Sequence, residues 1–319
     1  MTNVSFQSVN GLGIAIDSLV FGEGASLYTV SIASSATFAL RGMGIVNDSG
    51  SPQHFVVRPD GINGSTFQIT NSATAGEGTF FEVDSSVLQL LGDARAGSGT
   101  FVGNAFAQME IRSNASADRG TFICNGATEN GFSFGGTVSF MGNATAALGT
   151  FTIFGGAASG STEGQCYFYD TASAASAVMT AKGGSVNGAD GRFVWFVGDS
   201  DGGDATLIAT GGVEGAGGAF IRFDETSSGN SARVEIFDSG HLEIGAHAAP
   251  GVSIGSLEGT GDVFLGARVL SVGENNLNTT YDGVLQDGGV SGGSGGSVTK
   301  VGAGTLTLSG VNTASLRER

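Results

Sequence analysis

The fold is decided by one stretch, residues 135–156, which reads GGTVSFMGNATAALGTFTIFGG. It contains two short runs in which apolar residues alternate with polar or small ones, and each run is closed by glycine, asparagine or another turn-forming residue. This pattern is typical of a unit made of a strand, a turn, a second strand and a second turn. The stretch therefore predicts β structure.

Parts of this unit recur in the preceding sequence. The triplet Gly-Thr-Phe ends at Phe80, Phe101, Phe122 and Phe151, so its intervals are 21, 21 and 29 residues (101 − 80, 122 − 101, 151 − 122). A fixed period with tolerated insertions is the sequence signature of a solenoid, in which each repeat stacks on the next. We predict an all-β fold, a solenoid of roughly 14 coils at about 22 residues per coil.

A second repeated element lies eight residues before the phenylalanine of the triplet. Asn143, Asn114 and Asp93 each precede an Ala-x-Ala sequence at this position. Asn and Asp tolerate left-handed backbone, and stacked Asn side chains can hydrogen-bond from one coil to the next. The element predicts a corner of the coil at which polar side chains stack and alanines fill a crowded interior.

Alternation within each strand predicts which side chains fill the core, because residues two apart share a face. In the later copies the phenylalanine of the triplet and the residue two positions after it are predicted to point inward. The same pattern in the first copy would bury Glu82, so we predict that Phe81 and Val83 point inward there instead. In two later copies the predicted core residues are Phe122, Cys124, Phe151 and Ile153.

The charge balance excludes several classes of partner. The 319 residues include 13 Lys and Arg against 29 Asp and Glu, which gives a net charge of −16. This balance argues against nucleic acid and anionic membranes as partners. No apolar run is long enough to span a bilayer, so we expect no membrane insertion by this segment. The sequence also predicts no cofactor.

Only two cysteines occur, Cys124 and Cys166, and their separation of 42 residues is twice the 21-residue period. If they stay in register, they lie two coils apart, at roughly 9.6 Å, which is too far for a disulfide. We therefore predict two free, buried thiols.

Four segments differ in regularity. We predict irregular or capping coils over residues 1–60, regular β-helix repeats over 61–160, coils with longer loops over 161–250, and a distinct, truncated repeat over 251–319.

The last segment carries a resemblance to a known family. The blocks at residues 255–266, 270–273 and 281–285, followed by the run Lys300 to Thr313, resemble the autotransporter-associated β-strand repeat. Upstream, units such as those at 101–104 and 122–125 resemble repeats of polymorphic outer-membrane autotransporters. The resemblance implies a right-handed parallel β-helix in the passenger of a type V secreted protein, exposed at the bacterial cell surface or released from it. The usual role in that family is adhesion.

The end of the chain departs from that family. Members continue after the Asn-Thr pair with a Tyr-Thr-Gly segment and a translocator β-barrel, whereas this chain has residues 314–319, ASLRER. The start lacks the basic residues and apolar core of a signal peptide. Both features lead us to expect that the chain is a fragment of a longer exported protein.

One group of charged residues could carry catalysis. Alternation places their side chains outward, and carbohydrate-active β-helices use acids beside a basic residue on such a face. The alternative is a ladder of cross-strand charges that keeps the surface soluble, and we favour it. The group comprises Arg222, Asp224, Arg233, Glu235, His241 and Glu243.

Three further features were considered as sites. Asp199, Asp201 and Asp204 alternate with small residues as in a calcium loop, but a solvated turn is the favoured interpretation. The histidines are too scattered for a metal site, and a loop or cap role is favoured for His241 and His247. Trp195 is favoured as a core residue over a platform that stacks against sugars.

The sequence leaves three functional hypotheses. The first is a non-catalytic, adhesin-type rod that binds a host or environmental surface ligand, either a glycan or a protein. The second is a polysaccharide lyase or hydrolase built on the charged group, and the third is a structural spacer. Uncapped ends of a β-helix also predict end-to-end self-association.

Overall fold

A computed structural model describes residues 2–6, 13–33, 37–59, 64–130, 134–162 and 164–318. Parts of the predicted N-terminal capping segment, residues 7–12 and 34–36, lie outside these ranges. Every secondary-structure element of the described residues is a β-strand. The all-β prediction is therefore confirmed, and no described helix could span a bilayer.

The strands are numbered in chain order. They are β1 (Thr2–Phe6), β2 (Ile14–Phe21), β3 (Tyr28–Ala33), β4 (Thr37–Asn47), β5 (Gln53–Arg58), β6 (Thr66–Ile69), β7 (Thr79–Val83), β8 (Val87–Leu90), β9 (Thr100–Gly103), β10 (Gln108–Ser113), β11 (Thr121–Cys124), β12 (Thr137–Gly142), β13 (Thr150–Ile153), β14 (Gln165–Phe168), β15 (Val178–Ala181), β16 (Phe193–Phe196), β17 (Thr206–Ala209), β18 (Phe220–Phe223), β19 (Arg233–Ile236), β20 (His241–Glu243), β21 (Gly251–Ile254), β22 (Ser256–Gly259), β23 (Asp262–Phe264), β24 (Val269–Val272), β25 (Thr279–Tyr281), β26 (Val284–Gln286), β27 (Ser297–Lys300), β28 (Leu306–Leu308) and β29 (Ser315–Glu318).

The strands form a parallel β-solenoid. Sheet A contains 13 strands in the order β1-β3-β5-β7-β9-β11-β13-β15-β17-β19-β22-β25-β28, and sheet B contains 12 in the order β2-β4-β6-β8-β10-β12-β14-β16-β18-β20-β23-β26. Each coil thus contributes one strand to each sheet, and the coil count is slightly below the predicted 14. A third sheet, sheet C, consists of β21-β24-β27-β29 and begins at Gly251, where the predicted C-terminal segment begins.

Columns of stacked phenylalanines run through the core. In sheet A the rings of Phe81, Phe101, Phe122 and Phe151 lie 4.6 to 4.9 Å apart between successive centroids, with their planes within 10° of parallel. All four are buried, and Val83 is buried beside them. The predicted inward residues are confirmed, including the shifted phase at Phe81. Offset ring stacking of this kind adds to the hydrophobic stabilisation of the stack.

The predicted corner is confirmed, and it has a regular backbone. Two left-handed residues lie five positions apart in each of several coils, for example Ser113 (φ 64°) with Asp118 (φ 52°), and Gly142 (φ 70°) with Ala147 (φ 50°). Between them lies the Ala-x-Ala sequence, whose alanines are completely buried: Ala94, Ala96, Ala115, Ala117, Ala144 and Ala146.

Polar side chains lock this corner from coil to coil. The Asn143 side-chain amide donates to Asn114 Oδ1 (3.2 Å), and the Asn114 amide donates to Asp93 Oδ1 (3.2 Å). Within the Ala-x-Ala sequence, the middle residue accepts the backbone N–H two positions later, as Thr145 Oγ1 does from Ala147 (3.0 Å). The predicted stacking of Asn side chains is therefore confirmed, although the left-handed residue is the one before each of them.

The register predicted for the two cysteines is wrong. Cys124 lies in β11 of sheet A and Cys166 lies in β14 of sheet B. The residue one coil after Cys124 in sheet A is Ile153, which is 29 residues later (153 − 124) because of the insertion. Only 13 of the 42 residues then remain (166 − 153), and they lead from sheet A to sheet B. Both thiols are free and buried, as predicted, and burial raises the pKa of each.

Candidate functional site

The six charged residues considered for catalysis do not share one face. Arg222, His241 and Glu243 lie on β18 and β20 of sheet B, and Asp224 directly follows β18. The other two lie on β19, which belongs to sheet A. Because consecutive strands of a coil belong to alternate sheets, a group drawn from β18, β19 and β20 is divided between two sides of the solenoid. The predicted common face is therefore wrong.

The two residues on sheet A form a local ion-pair cluster. The Arg233 guanidinium binds both carboxylate oxygens of Glu258, at 2.8 and 2.9 Å, and its Nε lies 2.9 Å from Glu235. The hydrogen bonds that Arg233 donates to Glu258 raise the pKa of Arg233. These contacts fit the charge-ladder interpretation of this part of the surface.

The sheet B residues lie within a group of aromatic side chains that we call the aromatic face. Its members point outward from β14, β16, β18, β20 and β23, or directly follow β14. They are Tyr167, Tyr169, Phe193, Trp195, Phe220, His241 and Phe264. Trp195 is half-buried there, opposite Tyr167 in the strand register, so the prediction that it is a core residue is wrong.

Neighbouring rings of the aromatic face are in contact from coil to coil. The Tyr167 and Phe193 centroids lie 5.2 Å apart, and those of Phe193 and Phe220 lie 5.1 Å apart. Phe220 stacks on His241 at 5.0 Å, and His241 meets the Phe264 ring edge at 5.5 Å. The rings therefore form a continuous strip along the solenoid axis.

Polar contacts hold Trp195 in place. Its indole Nε1 donates to Asp224 Oδ2 at 3.0 Å, and the Arg222 guanidinium lies 4.7 Å from the centroid of the ring. Arg222 Nε also donates to Asp224 Oδ1 at 2.8 Å, so one carboxylate anchors both side chains. Because these contacts already fix the Trp195 side chain, a ligand that stacks on it would lose less binding free energy to side-chain ordering.

Glu243 lies beneath the segment 287–296, which we call the glycine loop. The residue is 1% exposed, and neither carboxylate oxygen has a hydrogen-bond partner of regular geometry. Burial raises the pKa of Glu243, and interactions with the backbone of Val290 and Ser291 and with Arg222 oppose only part of this shift. At Gly289 (φ 85°) an added Cβ would lie 2.3 Å from Glu243 Oε1, so only glycine lets the loop approach so closely.

The loop or cap role predicted for His241 is wrong, because His241 lies on β20, whereas His247 lies outside the strands. Burial between two aromatic rings lowers the pKa of His241, so its neutral form is favoured. His247 is buried, and its ring nitrogens lie 2.7 Å from the Ala248 carbonyl and 2.6 Å from the Ser227 carbonyl. These contacts connect two loops, which agrees with the structural role predicted for His247.

The candidate calcium loop is one of the solenoid corners. Asp201 Oδ1 accepts hydrogen bonds from the Gly203 N–H and the Ser173 hydroxyl, both at 2.8 Å. Asp199 Oδ1 accepts the Thr226 hydroxyl at 2.6 Å, and Asp204 is exposed. Within the described ranges, no group of three or more His, Cys, Asp or Glu side chains could hold a metal ion.

Sequence reasoning did not find the aromatic face, because strands that are apolar on both sides give no alternation. Phe193, Val194, Trp195 and Phe196 are all hydrophobic, yet only Val194 and Phe196 point into the core. The available signal was the chain's only tryptophan, Trp195, at the strand position that Tyr167 occupies one coil earlier.

Comparisons with known proteins identify no relative of this chain. No family model matches the chain, and neither the curated proteins nor the solved structures contain a match.

Proposed function

We propose that the chain is a non-catalytic binding rod of the adhesin type, whose ligand is an extended glycan bound along the aromatic face. The observation that carries this proposal is the strip of aromatic rings on one outer face of sheet B, which are half-buried except for the buried Phe193. The C–H faces of pyranose rings stack on aromatic rings, while phenol and indole groups hydrogen-bond to sugar hydroxyls. A strip that follows the solenoid axis suits a linear polymer.

The proposal extends to location. The resemblance of residues 255–313 to the autotransporter repeat supports a passenger segment of a longer exported protein at the cell surface or outside the cell. The ligand would then belong to a host or environmental surface. Within the described residues the terminal strands β1 and β28 of sheet A and β2 and β26 of sheet B each pair on one side only, which supports end-to-end association. Light scattering over a wide range of protein concentration tests that part.

The glycan proposal is tested by affinity electrophoresis in gels that contain soluble neutral or acidic polysaccharides. We expect retardation of the purified chain in at least one gel, and its loss in Trp195→Ala and Tyr167→Ala. Phe134→Ala is the matched control, because Phe134 is an exposed aromatic outside the aromatic face. Equal retardation of all variants would place the glycan site outside the aromatic face, and no retardation in any gel would favour the spacer hypothesis.

A second candidate function is cleavage of a polysaccharide at the same face by hydrolysis or elimination. It is supported by two carboxyl groups in unlike surroundings, Glu243 buried under the glycine loop and Asp224 hydrogen-bonded to Arg222 and Trp195. In hydrolysis, protonated Glu243 would donate to the glycosidic oxygen and Asp224 would accept the proton of the attacking water. Displacement of the glycine loop would be needed for access.

Size-exclusion profiles of polysaccharides after incubation with the chain distinguish the two candidates. Shortened polymers, and their absence with Asp224→Asn or Glu243→Gln, would support cleavage. Unchanged polymers together with retardation in the affinity gels would support the non-catalytic rod.

A further inference from the structure

The outer face of sheet A carries a second, different surface, which we call the threonine face. It comprises the two outward positions of each of five consecutive strands, β9, β11, β13, β15 and β17. The four positions that are not threonine are valine or isoleucine. The threonines are Thr100, Thr121, Thr150, Thr152, Thr180 and Thr206.

These positions form two straight rows. The five strands pair residue for residue without a bulge, so Thr121 lies beside Thr100 and Thr150, and Thr152 lies beside Ile123 and Thr180. Neighbouring side chains within a row are therefore roughly 4.8 Å apart, and the two rows are roughly 6.6 Å apart. The face is therefore a regular array of side chains with one spacing along each row and another between the rows.

Both the methyl and the hydroxyl groups of this array face the solvent. The backbone groups of the strands are used within the sheet, and none of the six threonine hydroxyls makes a hydrogen bond to the described part of the chain. The side chains are half-buried or exposed, with Val178 at 43%. Threonine, valine and isoleucine are branched at Cβ and stiff at χ1, so the groups are held in a fixed arrangement.

The face is uncharged, although the chain carries a net charge of −16. Charges border it on both sides. At one edge Glu82 pairs with Arg58 at 3.2 Å, and at the other edge lies the cluster of Arg233 and Glu235. An uncharged array between charged coils is complementary to a neutral partner. A rigid array with two fixed spacings is further complementary to a partner that is itself periodic.

We propose that the threonine face binds the surface of crystalline ice. The oxygen atoms on exposed planes of hexagonal ice repeat at distances close to the two spacings of the array, and each threonine hydroxyl can donate and accept a hydrogen bond within that lattice. The methyl groups of the same rows order water between them. A crystalline polysaccharide would instead favour aromatic rings, and those lie on sheet B. The inference does not depend on the glycan proposal.

The test is the freezing behaviour of solutions of the purified chain. We expect thermal hysteresis, meaning a gap between the melting and the freezing temperature of a single ice crystal, together with inhibition of ice recrystallisation. Thr152→Lys and Thr121→Lys place a charged side chain in the middle of each row and should abolish the gap.

Thr137→Lys is the matched control. Thr137 occupies the first position of β12 on sheet B, in register with the outward residue Gln165, so the same substitution is made on the opposite side of the solenoid. It should leave the gap unchanged. Circular dichroism and thermal unfolding establish that each variant is folded.

Two results would overturn the inference. One is the absence of both hysteresis and recrystallisation inhibition in the folded wild-type chain. The other is a dimer in light scattering that Thr152→Lys dissociates without any ice activity, which would make this face an interface between copies of the chain.

Discussion

The indole nitrogen of Trp195 and a carboxylate oxygen of Asp224 lie 3.0 Å apart across two adjacent coils, although 29 residues separate them in the chain. The second oxygen of the same carboxylate accepts Arg222 Nε at 2.8 Å. Asp224 is 6% exposed, so both hydrogen bonds are sheltered from water. This arrangement joins the aromatic and the charged parts of sheet B and makes Asp224 the residue on which the geometry of the aromatic face depends.

Asp224→Ala should therefore destabilise the chain. It removes two hydrogen bonds, leaves the Trp195 and Arg222 donors unpaired, and should cost about 1–3 kcal/mol. Urea unfolding followed by circular dichroism measures this change. The control is Glu214→Ala, because Glu214 is an exposed loop residue whose removal should change stability by less than about 0.5 kcal/mol. Equal unfolding midpoints for the two variants would contradict the role assigned to Asp224.

Glu243 should make stability depend on pH in an unusual direction. Its pKa is raised in the folded chain, mainly by burial, so the folded state binds more protons than the unfolded state above about pH 4.3. Stability from this group is full below that pH and is lost as pH rises through the folded pKa. Arg222 opposes the shift and Asp224 adds to it. Glu243→Gln should remove the dependence and stabilise the chain at pH 7.

Melting temperatures measured from pH 4 to pH 8 test this prediction. The wild-type and Glu243→Gln curves should diverge as pH rises, with the variant higher. Parallel curves would mean that Glu243 titrates normally.

His241 should act in the opposite direction. Its pKa is lowered, mainly by burial, so the unfolded state binds more protons than the folded state below about pH 6.5. Stability is therefore retained above that pH and lost as pH falls through the folded pKa. His241→Phe keeps the contacts with Phe220 and Phe264 and should flatten the acid side of the curve. If the stability of His241→Phe falls at acid pH as steeply as that of the wild type, the role assigned to His241 is wrong.

The corner at Asp201 should not depend on a metal ion. Its carboxylate caps the turn at Gly203, as the Ser173 and Ser228 hydroxyls cap the equivalent turns of neighbouring coils. Asp201→Ser should therefore cost less than about 0.5 kcal/mol, whereas Asp201→Val loses the cap and should cost about 1 kcal/mol. Addition of calcium or of EDTA should leave the melting temperature unchanged. A calcium-dependent rise that Asp201→Ser removes would restore the calcium hypothesis.

Much of the fold was determined by the sequence itself. A repeat of alternating strands cannot bury its apolar side alone, so identical side chains such as Phe101, Phe122 and Phe151 must stack. The alanines of the corner follow from the same repetition, because stacked corners leave no room for larger side chains. These features depend on local spacing, which the sequence contains directly.

The tertiary structure decided which strands share a sheet and which side chains meet. Insertions change the coil length, so a period alone could not show that Cys124 and Cys166 lie on different sheets, or that Arg233 lies apart from Arg222. Because β16 is apolar on both sides, alternation could not show whether Trp195 points into the core or outward. The burial of Glu243 depends on a loop more than 40 residues later, at Gly289, and such a long-range contact has no local signature in the sequence.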